Sequence, residues 1–254
     1  MQKLISFALL SLIKIFSHIF YRGVFQWITP RPENPWKQAK LIVFLNHTSL
    51  FEPLFIQHLS FSFIWNLVAR VNVPGADVTL NRPVVGKFWK LMLPNIASVT
   101  RKKDASWSNY LQSIRPDSII MIAPEGRMKR LSGLDKFGKP MTVKGGAADI
   151  LEILDDGAMI LCLSGGLHHV QAPGQAVPKI FKTIRMNLAY YDIKDYKAQL
   201  ADLSPRERKL KITHELQQHL EKNCPKEIPT WSKQKSAHDD GPDKPETATG
   251  ARTE

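Results

Sequence analysis

The feature that most restricts the fold is an alternation of short apolar runs with segments of helical pattern along the middle of the chain. Runs rich in Ile, Val, Leu and Phe predict buried strands. The candidate strands are Leu41–Leu45, Ile64–Ala69, Ile96–Val99, Ser118–Ala123, Met159–Leu163 and Ile184–Tyr190. The candidate helices cover residues 50–60, 83–92, 105–114, 144–155 and 205–222.

Alternating strands and helices predict an α/β fold in which a mostly parallel sheet is flanked by helices. The chain has 254 residues and is 43% hydrophobic, which is enough to bury one large core over residues 31–231. In such a fold the residues that carry function belong at the carboxyl ends of the strands.

The N-terminal segment, residues 1–30, is predicted to be a membrane-associated amphipathic helix that lies in the membrane interface. Lys14 stands in its middle and would cost about 2.5 to 3.5 kcal/mol at the centre of a bilayer, which disfavours a simple span. Because the apolar face is broad, a tilted single span and an ordinary core helix remain as alternatives. The polar side holds Lys3, Ser6, Ser11, Lys14, Ser17, His18, Tyr21 and Arg22.

The charge of the chain indicates anionic partners. Lys and Arg number 35 against 23 Asp and Glu, a net charge of +12. A membrane surface with anionic lipid, a phosphorylated metabolite or a nucleic acid could each match this charge. Nucleic acid is disfavoured, because the basic residues are not interleaved with a stacking aromatic platform. The tail 232–254 lacks large apolar residues and is therefore predicted to be disordered. It holds none of the excess of basic residues.

The stretch NHTSLFEP, residues 46–53, follows the first predicted strand. His47 would stand at the carboxyl end of that strand, and Glu52 lies about one turn further along. A neutral histidine can remove a proton from a hydroxyl while a carboxylate fixes its tautomer and stabilises the imidazolium. In the alternative reading, Ser49 and Glu52 form a capping box, although Pro53 has no N–H for the first helical bond. A purely structural role for His47 is the other alternative.

Basic residues follow two other predicted strands. Arg101 begins a cluster after Ile96–Val99, and Pro124-Glu125-Gly126-Arg127 leads into Lys129 and Arg130 after Ser118–Ala123. Arginine offers paired donors that match phosphate oxygens, so these clusters predict a phosphate site. A solvated loop that touches anionic headgroups is the alternative. The pair His168–His169 has no cysteine or acid at ligand spacing, and no metal site is predicted.

Together these segments resemble the glycerophospholipid acyltransferase family, whose best-known members are the 1-acylglycerol-3-phosphate acyltransferases. The resemblance covers about residues 40–165 and rests on three ordered motifs: histidine and an acid separated by four residues, an arginine after a strand, and proline-glutamate-glycine. It implies that His47 is the general base with Glu52 as its charge partner. It also implies that Arg101 binds the acceptor phosphate and that Glu125 and Gly126 shape the acceptor pocket.

The resemblance implies a membrane-associated O-acyltransferase of phospholipid biosynthesis, with its active site on the cytoplasmic face. The enzyme would use acyl-CoA or acyl-carrier protein as acyl thioester donor and a lysophospholipid as acceptor, most simply 1-acylglycerol-3-phosphate. No metal or bound cofactor is implied. Two alternatives remain. One is a basic peripheral membrane protein without catalytic activity, and the other is an acyltransferase that acts on a lipid A precursor or an amino-acid-derived lyso-lipid.

The chain departs from the family pattern at two of these motifs. Glu52 stands where the family usually has aspartate. The third motif usually reads glutamate-glycine-threonine-arginine, whereas Arg127 follows Gly126 directly. The arginine role of the third motif therefore belongs to either Arg127 or Arg130.

Overall fold

The helices and strands of the computed structural model are described for residues 1–100, 102, 104–172, 175 and 177–229. The helices in this part of the chain are α1 (Gln2–Phe20), α2 (Phe61–Arg70), α3 (Asp77–Leu80), α4 (Pro83–Met92), α5 (Ser106–Gln112), α6 (Gly146–Ile153), α7 (Ile193–Ala198) and α8 (Pro205–Lys222). The strands are β1 (Tyr21–Trp27), β2 (Ala39–Leu45), β3 (Val71–Ala76), β4 (Ile96–Val99), β5 (Ile119–Ile122), β6 (Ala158–Ser164) and β7 (Lys182–Asp192). Pro35–Gln38 and Glu52–His58 form 3₁₀ helices.

The described strands form a seven-stranded sheet in the order β1-β7-β6-β2-β5-β3-β4. Neighbouring strands run parallel, except that β6 and β7 are antiparallel. This confirms the predicted α/β fold with a mostly parallel sheet. Strand β2 lies between β5 and β6, so the loops that follow these three strands meet at one edge of the sheet.

Both faces of the sheet are covered, because the central strands are apolar on both sides. Along β2, Leu41, Val43 and Leu45 enter one core, which α5, α6, α7 and α8 cover. Ile42 packs into the other core, with α1, α2, α4 and the 3₁₀ helix Glu52–His58 above it. The result is a three-layer arrangement that leaves the strand ends free to carry a site.

The predicted strand Ile64–Ala69 is wrong, because these residues belong to α2. Ser60 caps the helix by accepting a hydrogen bond from the backbone N–H of Phe63 at 3.1 Å. The buried residues Phe63, Ile64, Leu67 and Val68 follow a helical spacing and not the alternation of a strand. The strand of this region, β3, begins directly afterwards at Val71 and was not predicted.

The N-terminal helix is shorter than the predicted segment 1–30. It ends at Phe20, and Tyr21–Trp27 form the edge strand β1, which pairs with β7. The aromatic and β-branched residues of this stretch fit a strand, and a neighbouring strand supplies its hydrogen bonds. The tail 232–254 lies outside the described residues, so its predicted disorder stays a prediction.

The other predicted elements are confirmed, with ends shifted by a few residues. The helix predicted over 50–60 is the 3₁₀ helix Glu52–His58, and the helices predicted over 83–92 and 205–222 have the expected bounds. Ser204 and Glu207 form a capping box at the start of α8. The short helices α3 and α7 were not predicted.

Candidate active site

A sharp turn ends β2 and brings His47 to the carboxyl edge of the sheet. Asn46 has φ of 65°, in the left-handed region that asparagine tolerates better than most residues. Its side-chain Nδ2 donates to the carbonyl of Ser164 at 2.9 Å, and its backbone N–H donates to Glu125 Oε1 at 2.6 Å. These bonds fix the turn, and therefore the direction in which His47 leaves the strand.

His47 and Glu52 are in direct contact. The distance between His47 Nδ1 and Glu52 Oε2 is 2.6 Å, and Glu52 Oε1 accepts from the backbone N–H of Thr48 at 2.9 Å. The carboxylate can only accept, so Nδ1 carries the hydrogen and Nε2 is left with a lone pair. The capping-box alternative is not formed, since Glu52 bonds to Thr48 and the 3₁₀ helix begins at Glu52 itself.

The surroundings of His47 favour its charged form. Burial on its own lowers the pKa of His47, but the charge of Glu52, its hydrogen bond and the charge of Glu125 raise the pKa above its ordinary value of 6.5. An imidazolium at this position is therefore stabilised, as it would be after His47 has accepted a proton.

Glu125 lies beneath the His47 loop. It is 4% exposed, and its Oε1 accepts from the backbone N–H groups of both Asn46 and His47. Burial raises the pKa of Glu125 to about 7, although the hydrogen bonds from His47 and Asn46 act in the opposite direction. Glu125 therefore holds the backbone of Asn46 and His47 in place, and its predicted contact with the acceptor stays a prediction.

A cavity of about 640 Å³ opens beside His47 and Glu52. This volume lies within the range of roughly 300 to 1,000 Å³ that is usual for small-molecule sites. One part of the cavity is apolar and extends under α1, α2 and α4, where it is lined by Leu10, Leu67, Trp89, Met92, Cys162 and Met186. The cavity can therefore hold an extended hydrocarbon chain next to an imidazole.

The other part of the cavity carries basic side chains. Arg127, Lys144 and Lys209 line it, together with Asp149. Lys209 Nζ lies 2.5 Å from Asp149 Oδ1, and Arg127 forms an ion pair with Asp135 that holds the guanidinium in place. With Lys209 and Arg127 paired to these two carboxylates, Lys144 supplies the remaining positive charge, which suits an anionic group such as a phosphate.

The structure separates the two arginines of the third motif. Arg127 and Gly126 line the cavity, whereas Arg130 is absent from its described lining. Gly126 has φ of 69°, and a Cβ there would meet nothing within 4 Å, so glycine is needed for the backbone conformation and not for space. The prediction for Arg101 lies outside the described residues, although Val99 and Thr100 before it line the cavity.

Sequence reasoning missed Lys144 and Lys209 as cavity residues. Lys144 precedes Gly145-Gly146 and the start of α6, and this glycine pair was the available signal. Lys209 comes from α8, some sixty positions further along the chain, and no local pattern connects it with the site. His168 and His169 belong to no cluster of three metal-ligating side chains among the described residues.

Comparisons with known proteins identify the family of this chain. The family model described as Acyltransferase matches residues 28–163. Among solved structures, the chain is similar to the 1-acyl-sn-glycerophosphate acyltransferase PlsC from Thermotoga maritima, with 17% identity and a TM-score of 0.48 over 83% of this chain and 77% of that one. None of the curated proteins that were compared matches the sequence. The family model spans more than half of the chain, and the chain therefore belongs to the acyltransferase family.

Proposed function

We propose that this acyltransferase moves a fatty acyl group from an acyl thioester to the hydroxyl of a lysophospholipid at a membrane surface, as a step of phospholipid biosynthesis. The preferred acceptor is 1-acylglycerol-3-phosphate. The donor is acyl-CoA or acyl-carrier protein, and no metal or bound cofactor takes part.

The observation that carries the proposal is that the His47–Glu52 pair lines the same cavity as a set of apolar side chains and a set of basic ones. The apolar part suits an acyl chain, and the basic part suits a phosphate. A lysophospholipid has both groups, separated by the glycerol hydroxyl that has to react. The arrangement therefore fits a phosphorylated lipid acceptor better than it fits an uncharged alcohol.

The chemistry follows from the tautomer of His47. Nε2 removes the proton of the acceptor hydroxyl while its oxygen attacks the carbonyl carbon of the thioester. The tetrahedral intermediate then collapses, the carbon–sulfur bond breaks, and the imidazolium returns the proton to the departing sulfur. The products are an ester and a free thiol, and Glu52 stabilises the imidazolium between the two proton transfers.

The test is an assay of thiol release from acyl-CoA and from acyl-carrier protein against a panel of lyso-lipids. We expect release that depends on 1-acylglycerol-3-phosphate. Faster release with a lipid A precursor or with an amino-acid-derived lyso-lipid would show that this lipid is the acceptor, and the proposed acyl transfer would still stand. No release with any acceptor would leave a non-catalytic basic membrane protein as the better description.

Replacing Arg127 by alanine should raise KM for a phosphorylated acceptor about 10- to 100-fold and change kcat little. A hydrogen bond to a charged group contributes about 1.5 to 3 kcal/mol, which corresponds to this range. The measurement is steady-state kinetics with 1-acylglycerol-3-phosphate and with monoacylglycerol, which lacks the phosphate.

The matched variant for this prediction is Arg130→Ala, three positions along the same loop and outside the described cavity lining. A larger KM effect for Arg130→Ala than for Arg127→Ala would reverse the assignment. An equal loss with both acceptors would show that Arg127 does not contact the phosphate. Arg101 remains a second proposed phosphate ligand.

The packing of α1 supports an interfacial position of this helix. Its polar side turns inward, where Ser6, Lys14 and Ser17 are buried and donate to the carbonyls of Leu91, Gln57 and Leu54, each at 2.7 Å. A helix fastened to the domain in this way presents its apolar side outward. The outward residues are Leu4, Ile5, Leu12, Ile15, Phe16 and Ile19.

The apolar surface continues beyond α1. Phe61 and Trp65 of α2 and Val84, Phe88 and Leu91 of α4 are also exposed, and Phe7 packs edge-on against Trp65. Among the described helices, α1 is the one long and apolar enough to cross a bilayer. A span would have to break the three hydrogen bonds of its polar side, so we favour a helix lying in the interface on the cytoplasmic face, where anionic lipid attracts the basic domain.

The double variant Leu12→Glu/Ile19→Glu should reduce binding to vesicles of phosphatidylethanolamine and phosphatidylglycerol by about 10²-fold or more. Burying each apolar side chain contributes about 1.5 to 3 kcal/mol, and both contributions would be lost. Both residues are more than 60% exposed, so the fold should be retained. The measurement is vesicle co-sedimentation.

The control is Leu210→Glu, an equally exposed leucine on α8 in the opposite layer. Unchanged sedimentation of the double variant, combined with release of the wild type by salt, would mean that charge alone holds the protein at the membrane.

A further inference from the structure

The segment that follows α8 passes the carboxyl edge of the sheet and brings Glu227 close to the loops beside His47. Asn187 Nδ2, on β7, donates to the carbonyl of Asn223 at 2.9 Å and fastens the start of this segment. Further along, Glu227 reaches two loops at once. Its Oε1 lies 2.5 Å from Lys129 Nζ, and its Oε2 lies 3.2 Å from His168 Nδ1.

His168 is held between two acceptors. Its Nε2 lies 2.8 Å from the carbonyl oxygen of Lys129, and its Nδ1 faces Glu227. Burial on its own raises the pKa of Glu227, but hydrogen bonds from His168 and Lys129 hold the pKa at about 2, so the carboxylate is ionised. The buried ring of His168 therefore bridges the Lys129 carbonyl and the Glu227 carboxylate.

The two loops that Glu227 joins both donate hydrogen bonds to the segment His47–Thr48. The backbone N–H of Lys129 donates to the carbonyl of His47 at 2.8 Å. The backbone N–H of Leu167, next to His168, donates to Thr48 Oγ1 at 2.8 Å. Glu227 thus contacts Lys129 itself and the neighbour of Leu167, and the two bonds hold the His47 carbonyl and the Thr48 side chain that directly follow the His47 imidazole.

We propose that Glu227 is a positioning residue for His47. Its carboxylate ties Lys129 to His168, and through the Lys129–His47 and Leu167–Thr48 bonds it keeps the imidazole aligned between Glu52 and the cavity. Glu227 does not line the cavity and touches no reacting atom in this arrangement. The inference rests on the proposed function, because the role of His47 does.

Glu227→Gln keeps the size of the side chain and removes its charge. We expect kcat to fall by about 10²-fold, since a misplacement of a catalytic group by about 1 Å has that effect, while KM for both substrates stays within about twofold. The control is Lys226→Ala, the exposed neighbour on the same segment. A loss carried by KM, or kcat equal to wild type, would overturn the proposal.

A double-mutant cycle with Lys129→Met tests the route, because methionine keeps the backbone N–H that holds His47. If Glu227 acts through Lys129, the double variant should lose no more activity than the less active of the two single variants. If the fold-losses of kcat in the two single variants multiply in the double variant, Glu227 and Lys129 act on His47 independently, and the proposal is contradicted. If Glu227→Gln does not fold, Lys129→Met alone should show the fall in kcat at unchanged KM, and normal kcat would refute it.

A second readout does not depend on activity. The Nδ1–H of His47, in a hydrogen bond of 2.6 Å to Glu52, should give a downfield proton resonance that is assigned by its loss in His47→Ala. Glu227→Gln should shift or broaden this resonance, and Lys226→Ala should not. An unchanged resonance would overturn the positioning role. If the wild type transfers no acyl group, the proposed function fails, while the resonance still decides whether Glu227 positions His47.

Discussion

Replacing His47 by alanine is expected to lower kcat for acyl transfer by about 10²- to 10⁴-fold, the usual contribution of a general base. Among the residues that the structure describes, only His47 combines a lone pair on Nε2 with a position on the cavity and a carboxylate behind the ring. The loss corresponds to roughly 3 to 5 kcal/mol of barrier. The measurement is thiol release at saturating donor and acceptor, compared with the wild-type enzyme.

The variant should fold, since the backbone bonds of residue 47 to Glu125 and Lys129 do not involve the imidazole. Thermal unfolding and vesicle co-sedimentation check this. His214→Ala, which removes an exposed histidine of α8, is the matched control and should retain wild-type activity. Full acyl transfer by His47→Ala would remove His47 as the base.

Replacing Glu52 by glutamine should lower kcat by about 10²- to 10⁴-fold, because the amide carries no charge to stabilise the imidazolium. It should also move the pH profile. His47 works as a base in its neutral form, and Glu52 raises its pKa, so the acidic limb of wild-type kcat/KM should lie above pH 6.5. Without Glu52, burial lowers the pKa of His47, and the limb should move to lower pH.

Glu52→Asp separates the charge from the geometry. Aspartate keeps the charge, so the acidic limb should stay above pH 6.5, while the shorter side chain should lower kcat to a value between wild type and Glu52→Gln. The measurement is kcat/KM between pH 5 and 9. A limb that stays in place in Glu52→Gln would show that the carboxylate does not act on His47.

Much of the site could be predicted from local sequence. The strand Leu41–Leu45 is marked by an uninterrupted apolar run, and the residues after such a strand must emerge at the edge of the sheet. His47 and Glu52 are close enough in sequence for the contact to be anticipated. Gly126 could be anticipated as well, because the proline-glutamate-glycine turn has to follow the neighbouring strand β5.

The errors came where a local pattern has two solutions. The run Ile64–Ala69 is apolar enough for a strand, but Ser60 is placed to cap a helix and the burial follows helical spacing. Residues 21–27 continue the hydrophobic character of α1, yet they pair with β7, which lies 161 positions further along the chain. Such pairing leaves no mark within the segment itself.

The amino-acid sequence by itself determined the α/β class, the edge of the sheet that carries the chemistry and the His47–Glu52 pair, because each follows from residues close together in the chain. Tertiary structure alone placed Glu125 under the loop, chose Arg127 over Arg130 at the cavity, added Lys209 and brought Glu227 to Lys129 and His168. The physical reason is that these contacts join distant segments. They exist only after the two cores have packed and the strands have found their order.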